Sequence, residues 1–505
     1  MSDISDNNRI AKNTIALYIR MLVVLTVNLY TSRIVLSALG VEDFGIYNIV
    51  AGVAIMFDFL NTTMSSATSR FLTVELGIGN KEKLKQTFQT ALFLHLIIAA
   101  LIVLICETVG LWFLNTKLII APERMVAANY VFQLAVLAIV FKVIQVPFMA
   151  SVISNERMEV YAIVEILRVV LILGCVILIA GCEYDRLIIY AAILAAIAFI
   201  ICLLYVVYSK WKFGESSLTP KPQKDLIKEL VVYSGWDLYG NMCVTGRTQG
   251  LNITLNLFFG TLLNAANGIA MQVNTAVMQL STNVISAFRP QIIKLYAKNE
   301  MQKMSILVNN STKLSLVLFS LAAVPLIIEM PYVLDMWLKN PPEYSVSFSR
   351  MAIIAGILNV IINISNIPIH ARGDIKFLSF INGTIFLLTV PAAYIVLVFK
   401  HNAEYAYFMI VIFTVICFLT SLYLLRRQIK AISIRSFLFR SILPSFTCIL
   451  ISASISFLVH TTLGYGFMRL MTVAIVNAGV LSALAILVLL PKTTLQSIKN
   501  KIWKH

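Results

Sequence analysis

Apolar windows of about 20 residues or more, long enough to cross the hydrocarbon core of a bilayer, recur from one end of this chain to the other. They fall at 12–39, 44–69, 87–114, 124–149, 158–181, 186–208, 227–257, 262–288, 311–336, 346–369, 377–399, 404–425, 437–459 and 466–490. The mid-chain segment between them, "SKWKFGESSLTPKPQKDL" at 209–226, is a Lys/Pro/Ser linker with no room for a soluble domain. Composition agrees: 59% of the 505 residues are hydrophobic and 13% are charged, too few charges to clothe a soluble surface. Long apolar runs without period-2 alternation count against a transmembrane barrel. The expected fold class is all-α, a polytopic membrane protein of 14 transmembrane helices.

The net charge of +16 raises nucleic acid as a partner, and its distribution removes it. Basic residues sit in short loops between apolar runs and form no continuous stripe. With the N-terminus in the cytoplasm, 28 of the 40 Lys and Arg fall on the cytoplasmic side, seven on the other side and five within spans. That bias predicts both termini inside and the turn at Val41-Glu42-Asp43 outside. The first apolar run is too long for a cleavable signal core, so it is expected to remain as the first span. The seven cysteines contain no CxxC pair and lie mostly in apolar runs, where they read as small buried hydrophobes; Cys182, near a loop, is expected to be structural as well.

The mid-chain linker separates six spans from eight. Gly40–Asn80 can be laid against Gly260–Asn299: each leaves a long span at a Gly, crosses to a second Gly-Ile (Gly45-Ile46, Gly268-Ile269), and runs through a span to an arginine (Arg70, Arg289). The domain organisation expected is therefore an N-lobe at 1–208, a cytoplasmic linker at 209–226 and a C-lobe at 227–425. Two extra helices and a basic cytoplasmic tail follow at 426–505.

Polar residues inside a membrane are costly and mark interiors or water-filled cavities. Here they concentrate on the first two spans of each lobe. At about 100° per residue, Asp58, Thr62, Ser65 and Ser69 share a stripe on span 2. Asp237, Asn241, Thr245, Thr248 and Asn252 share one on span 7, and Asn267, Asn274 and Ser281 share one on span 8. Bonding between neighbouring helices is the competing explanation, but the stripes that carry carboxylates favour a central cavity. Asp58 and Asp237 are the candidate coupling or cavity carboxylates, and Asn28 and Asn241 candidate cavity amides.

Five cations lie within spans: Arg20, Arg33, Lys142, Arg168 and Arg247. Arg168 can pair with Glu165 three residues earlier. Glu107 and Lys142 have no obvious local partner. Arg20 has no carboxylate on its own helix and shares a face with Asn13 and Thr31; Arg247 lies at the middle of span 7. A buried guanidinium needs a counter-charge, and its planar fork suits phosphate oxygens. Arg33 lies about 220° around the helix from Arg20, within two turns of the outer boundary, where arginine can snorkel. It is the weaker candidate.

No P-loop, HExxH or GxSxG occurs, and the five histidines are dispersed. The outer loops are a few residues long, so transport without chemistry is expected, with no enzyme activity, resident cofactor or metal.

The stretch "SRIVLSALGVEDFGIYNIVAGVAIMFDFLNTTMSSATSRFLTVELG" resembles the N-terminal signature of bacterial polysaccharide flippases of the multidrug/oligosaccharidyl-lipid/polysaccharide exporter superfamily. The residues that carry it are LG-x-E-[DE]-[FY]-G-I-Y-N at Leu39–Asn48 and S-R-F-L at Ser69–Leu72, with "SAFRPQIIKLYAKNE" at Ser286–Glu300 as the C-lobe counterpart. The resemblance implies two six-helix lobes around a cationic cavity plus two C-terminal helices. It also implies alternating access that carries an undecaprenyl-pyrophosphate-linked oligosaccharide across the bacterial inner membrane for O-antigen, capsule or exopolysaccharide synthesis. Arg20 and Arg247 match the family's pyrophosphate-contacting arginines by helix and depth. Implied partners are that glycan, membrane lipids and a polysaccharide polymerase complex. The energy source stays open between Na+ coupling, H+ coupling and the membrane potential. A cation-coupled multidrug exporter of the same superfamily and a non-transporting scaffold of an assembly complex are the alternatives.

Overall fold

A computed structural model of the chain describes residues 2–55, 58–116, 120–179, 184–259, 261–338 and 341–489. Among them are fourteen helices, counting segments joined end to end as one, and no strand. They are α1 (Ser2–Ile55), α2 (Asp58–Ile78), α3 (Lys81–Thr116), α4 (Pro122–Ser154), α5 (Met158–Ile179), α6 (Arg186–Lys212) and α7 (Lys224–Phe259). Then follow α8 (Thr261–Ala297), α9 (Met301–Leu338), α10 (Ser345–Arg372), α11 (Lys376–Lys400), α12 (Glu404–Gln428), α13 (Ile434–Thr462) and α14 (Phe467–Val488). Ten of them, α3–α6 and α9–α14, are long and apolar enough to cross a membrane among the described residues.

Helix ends are set locally. Asn80 caps α3 by accepting from Lys83 N at 3.0 Å, Asp185 caps α6 by accepting from Leu187 N at 3.0 Å, and Gly373 ends α10 in the left-handed region at φ 92°.

The chain forms two compact units, Met1–Leu238 and Tyr239–His505. The division falls inside α7, after the 209–226 linker. That linker is fastened to the first unit by its polar side chains. Glu215 accepts from Ser151 at 2.8 Å and from Asn155 at 2.9 Å. Gln89 donates to Ser217 and Thr219, and Gln223 N donates to Thr90 Oγ1 at 3.2 Å.

In the first unit, helical hydrogen bonding in α1 continues through 40–45, where the sequence predicts a turn. The partners nevertheless reverse there. Asn13 bonds Glu156 O at the start of α5, and Val35 packs with Val176 and Ile179 near its end. Asp43 meets Arg124, and Val50 then joins Leu114, Ala128 and Val131. α1 thus changes partners and direction there while its helical hydrogen bonding continues. At the bend Arg124 takes Asp43 and Asp185 together, at 2.6 and 2.7 Å, and Arg186 donates to Ala38 O at 3.2 Å.

The second unit packs α8 on α9 and α10, α10 on α12 and α11 on α12, with α13 and α14 laid against α9. Lipid is as apolar as leucine, so close packing rather than water exclusion holds such helices together. Gly250 of α7 lets α11 approach until a Cβ there would meet Val390 at 2.7 Å. Gly110 does the same for Phe132 at 2.7 Å in the first unit.

Candidate functional site

Two register-fixing contacts place Arg20. Lys12 pairs with Glu159 at 2.8 Å, and Asn13 Nδ2 donates to Glu156 O at 3.1 Å. Both pin the start of α1 to the start of α5, so the Asn13–Arg20–Thr31 face turns toward α5. Asn13 and Thr31 are buried on it. Arg20 Nη1 donates to the Tyr161 hydroxyl at 3.3 Å, and the guanidinium lies 5.1 Å over the tyrosine ring. Arg20 Nε is buried with no hydrogen-bond partner. Tyr161, Glu165 and Arg168 share one face of α5. The last two pair with each other at 3.0 Å, as their spacing predicts, so Glu165 is already committed to Arg168. Among the described residues Arg20 forms no salt bridge.

In the second unit Arg247 of α7 reaches toward α11. Its guanidinium lies 4.5 Å over the Phe386 ring, and its Nη1 is buried without an acceptor. The polar side chains nearby satisfy one another. The Tyr407 hydroxyl donates to Asn267 Oδ1 at 2.7 Å, Asn267 donates to Asn252 at 3.3 Å, and Asn382 donates to Ser421 at 2.7 Å. Among the described residues Arg247 thus repeats the condition of Arg20: a guanidinium on an aromatic face, an orphaned buried N–H and no carboxylate bonded to it. Leaving a buried donor unmade costs about 1–3 kcal/mol, more when it is charged.

The remaining predicted residues divide three ways. Asn28 and Asn241 are exposed, and Asp237 is half-buried. The side chains of Arg33 and Asp58 lie outside the described residues, as does Cys182. The span-8 stripe is interior to the second unit: Asn267 and Ser281 are buried, and Ser281 donates to Ser315 O at 3.0 Å. Those residues bond neighbouring helices. Glu107 accepts from Gln133 across α3 and α4 at 3.1 Å. Glu329 of α9, which the sequence shows only as a carboxylate near a span end, is fully buried and bonded to His460 and Arg469, partners that sequence reasoning missed. Its signal was present as a glutamate between Pro325 and Pro331 in an apolar run, with His and Arg at the last interhelical loop.

Over 84% of this chain the structure matches an outward-facing multidrug resistance MATE family transporter of the MOP superfamily, at TM-score 0.71 and 16% identity, covering 96% of that chain. The fold is that of the MATE transporters of the MOP superfamily. A MATE protein in complex with MaD3S matches the same share of both chains at TM-score 0.69 and 17% identity. A MOP superfamily transporter from Pyrococcus furiosus, described as having a binding pocket of reverse polarity, matches them at 0.68 and 16%. In sequence, the membrane protein EpsK of Bacillus subtilis, itself uncharacterized, is 21% identical over 339 residues, 66% of each chain, so the match spans just under two thirds of that relative. No family model matches the chain.

Proposed function

We propose that this protein is a flippase that moves an undecaprenyl-pyrophosphate-linked oligosaccharide across the bacterial inner membrane by alternating access. The observation that carries this reading is the condition shared by Arg20 and Arg247, each with a buried N–H that lacks an acceptor and no bonded carboxylate among the described residues. A cation so placed favours an anionic ligand, and the guanidinium fork matches phosphate oxygens. The exposed amides Asn28 and Asn241 add support. A primary amide facing hydrocarbon is expensive, whereas one facing a solvated passage can bond sugar hydroxyls. The glycan serves O-antigen, capsule or exopolysaccharide synthesis, and adjoining polymerase proteins are the natural partners. Asp58 and Asp237 are the candidate carboxylates for a coupling H+ or Na+.

In cells that depend on this protein for surface glycan, Arg20→Ala and Arg247→Ala should each abolish the glycan at unchanged membrane abundance. Wild-type glycan in both variants sinks the pyrophosphate role. The fold of multidrug MATE transporters favours a second reading, cation-coupled drug export. Drug resistance conferred without any change in surface glycan would select it.

A further inference from the structure

α9 is broken at Glu329, whose φ of −97° and ψ of 17° are non-helical, between Pro325 and Pro331. Pro331 has no N–H, and its ring displaces the carbonyl four residues back, that of Ile327. A carbonyl freed inside a membrane must find another donor. Arg350 of α10 supplies it: Nε donates to Ile327 O at 2.8 Å and Nη2 to Ile328 O at 3.3 Å.

The side chain at the break is held from the other direction. Glu329 is 1% exposed. Arg469 of α14 donates through Nε and Nη2 to Oε2 at 3.1 and 2.8 Å, and His460 Nδ1 of α13 lies 2.6 Å from Oε1. An ionised carboxylate only accepts, so Nδ1 carries a proton whether the ring is neutral or charged. Tyr465, in the loop between α13 and α14, donates to Asp335 of α9 and packs edge-on against Tyr332 at 5.1 Å. Arg469 covers the Tyr465 ring at 5.0 Å. The hydrogen bond to Asp335 pushes Tyr465 up to about 12, so it stays a donor near neutrality. His460 of α13 and Arg469 of α14 face Glu329 directly; the charged and titratable groups tied in around them are Asp335 and Tyr332 of α9, Arg350 of α10 and Tyr465 of the loop. The two carboxylates and two guanidiniums cancel, and histidine alone among these side-chain types ordinarily changes charge between pH 5 and 8.

We propose that Glu329, His460 and Arg469 form a proton-binding latch through which the two C-terminal helices set the break in α9. Arg469 neutralises the carboxylate, but both of its N–H groups go to Oε2, which leaves Oε1 to His460. His460 adds a contact at the other oxygen that becomes charge-assisted when the ring gains its second proton. The proton tightens α13 and α14 on α9 and fixes residue 329 in its non-helical setting. Its loss leaves His460 a neutral donor, weakens the contact at Oε1 and lets α9 flex between the prolines. Being buried, the latch responds to pH and little to salt.

The test uses the full chain in detergent, with spin labels at Met336 and Ile475, both exposed, after replacement of the native cysteines. Distances are compared at about pH 6 and about pH 8.5, either side of the ordinary histidine transition. One narrow distribution is expected at the lower pH and a broader, shifted one at the higher. His460→Gln should show the broad form at both. The unlabelled protein with its own cysteines should melt several degrees higher at the lower pH, a difference that vanishes in His460→Gln. Identical wild-type distributions at the two pH values, or a His460→Gln protein with the wild-type response, overturns the latch. Glu329→Gln should also lose the response, but His460→Gln decides the matter if that protein does not fold.

Discussion

The side chains proposed to bear on function are cations whose hydrogen-bonding capacity is not used up among the described residues. Arg168 and Arg124 show the satisfied condition, each matched by carboxylate oxygens at 3.0 Å or less. Arg20 and Arg247 show the other. Because their fork matters as well as their charge, Arg20→Lys should restore only part of the glycan lost in Arg20→Ala, read as surface polysaccharide per copy of protein. Full rescue would mean that charge alone suffices. Asp185 makes a separate prediction. Burial acts to raise its pKa, but hydrogen bonds and charge pairing with Arg124 outweigh that and hold it below the ordinary carboxylate range. A depressed carboxylate contributes stability that is present above its unfolded pKa, about 3.9, and lost as pH falls through the folded value. Asp185→Asn should therefore lower the melting temperature at neutral pH, and the gap to wild type should close on acidification. A gap independent of pH contradicts the clasp.

At the scale of helices, composition and periodicity made a great deal legible. The apolar runs, the short connections and the crowding of polar residues on the first two helices of each lobe could all be read from the chain. The bend at residues 40–45 was legible as a direction change but not in its backbone form, since helical bonding runs on through it. The span-8 stripe misled because a period of 3.6 shows only that residues share a face, not what the face meets. The Glu329 cluster was illegible for a related reason: Glu329 lies 131 residues from His460 and 140 from Arg469, and only folding brings them together. Close helix contacts were hidden in the same way, which makes Gly250 a useful test. Gly250→Ala should destabilise the protein by about 1–3 kcal/mol through collision with Val390, and Val390→Ala should recover much of that in the double variant. Additive effects would place the two residues apart.

For the whole molecule, a fold shared with MATE transporters at 16–17% identity fixes architecture and leaves cargo to the side chains. The cargo proposed here has an anionic head, a sugar and a long lipid tail. Arg20 and Arg247 are the residues proposed to answer its charge. If Asp58 binds the coupling ion, Asp58→Asn should slow turnover more than binding, and its transport rate should no longer respond to pH or sodium gradients. Unchanged gradient dependence would place coupling elsewhere. The most direct measurement is movement of a fluorescent undecaprenyl-pyrophosphate-linked oligosaccharide between leaflets of liposomes containing the purified full chain. The account predicts leaflet exchange well above protein-free liposomes, falling to that background in Arg20→Ala while the protein remains folded. A wild-type protein that leaves this lipid in place, or an Arg20→Ala protein that moves it at the wild-type rate, contradicts it.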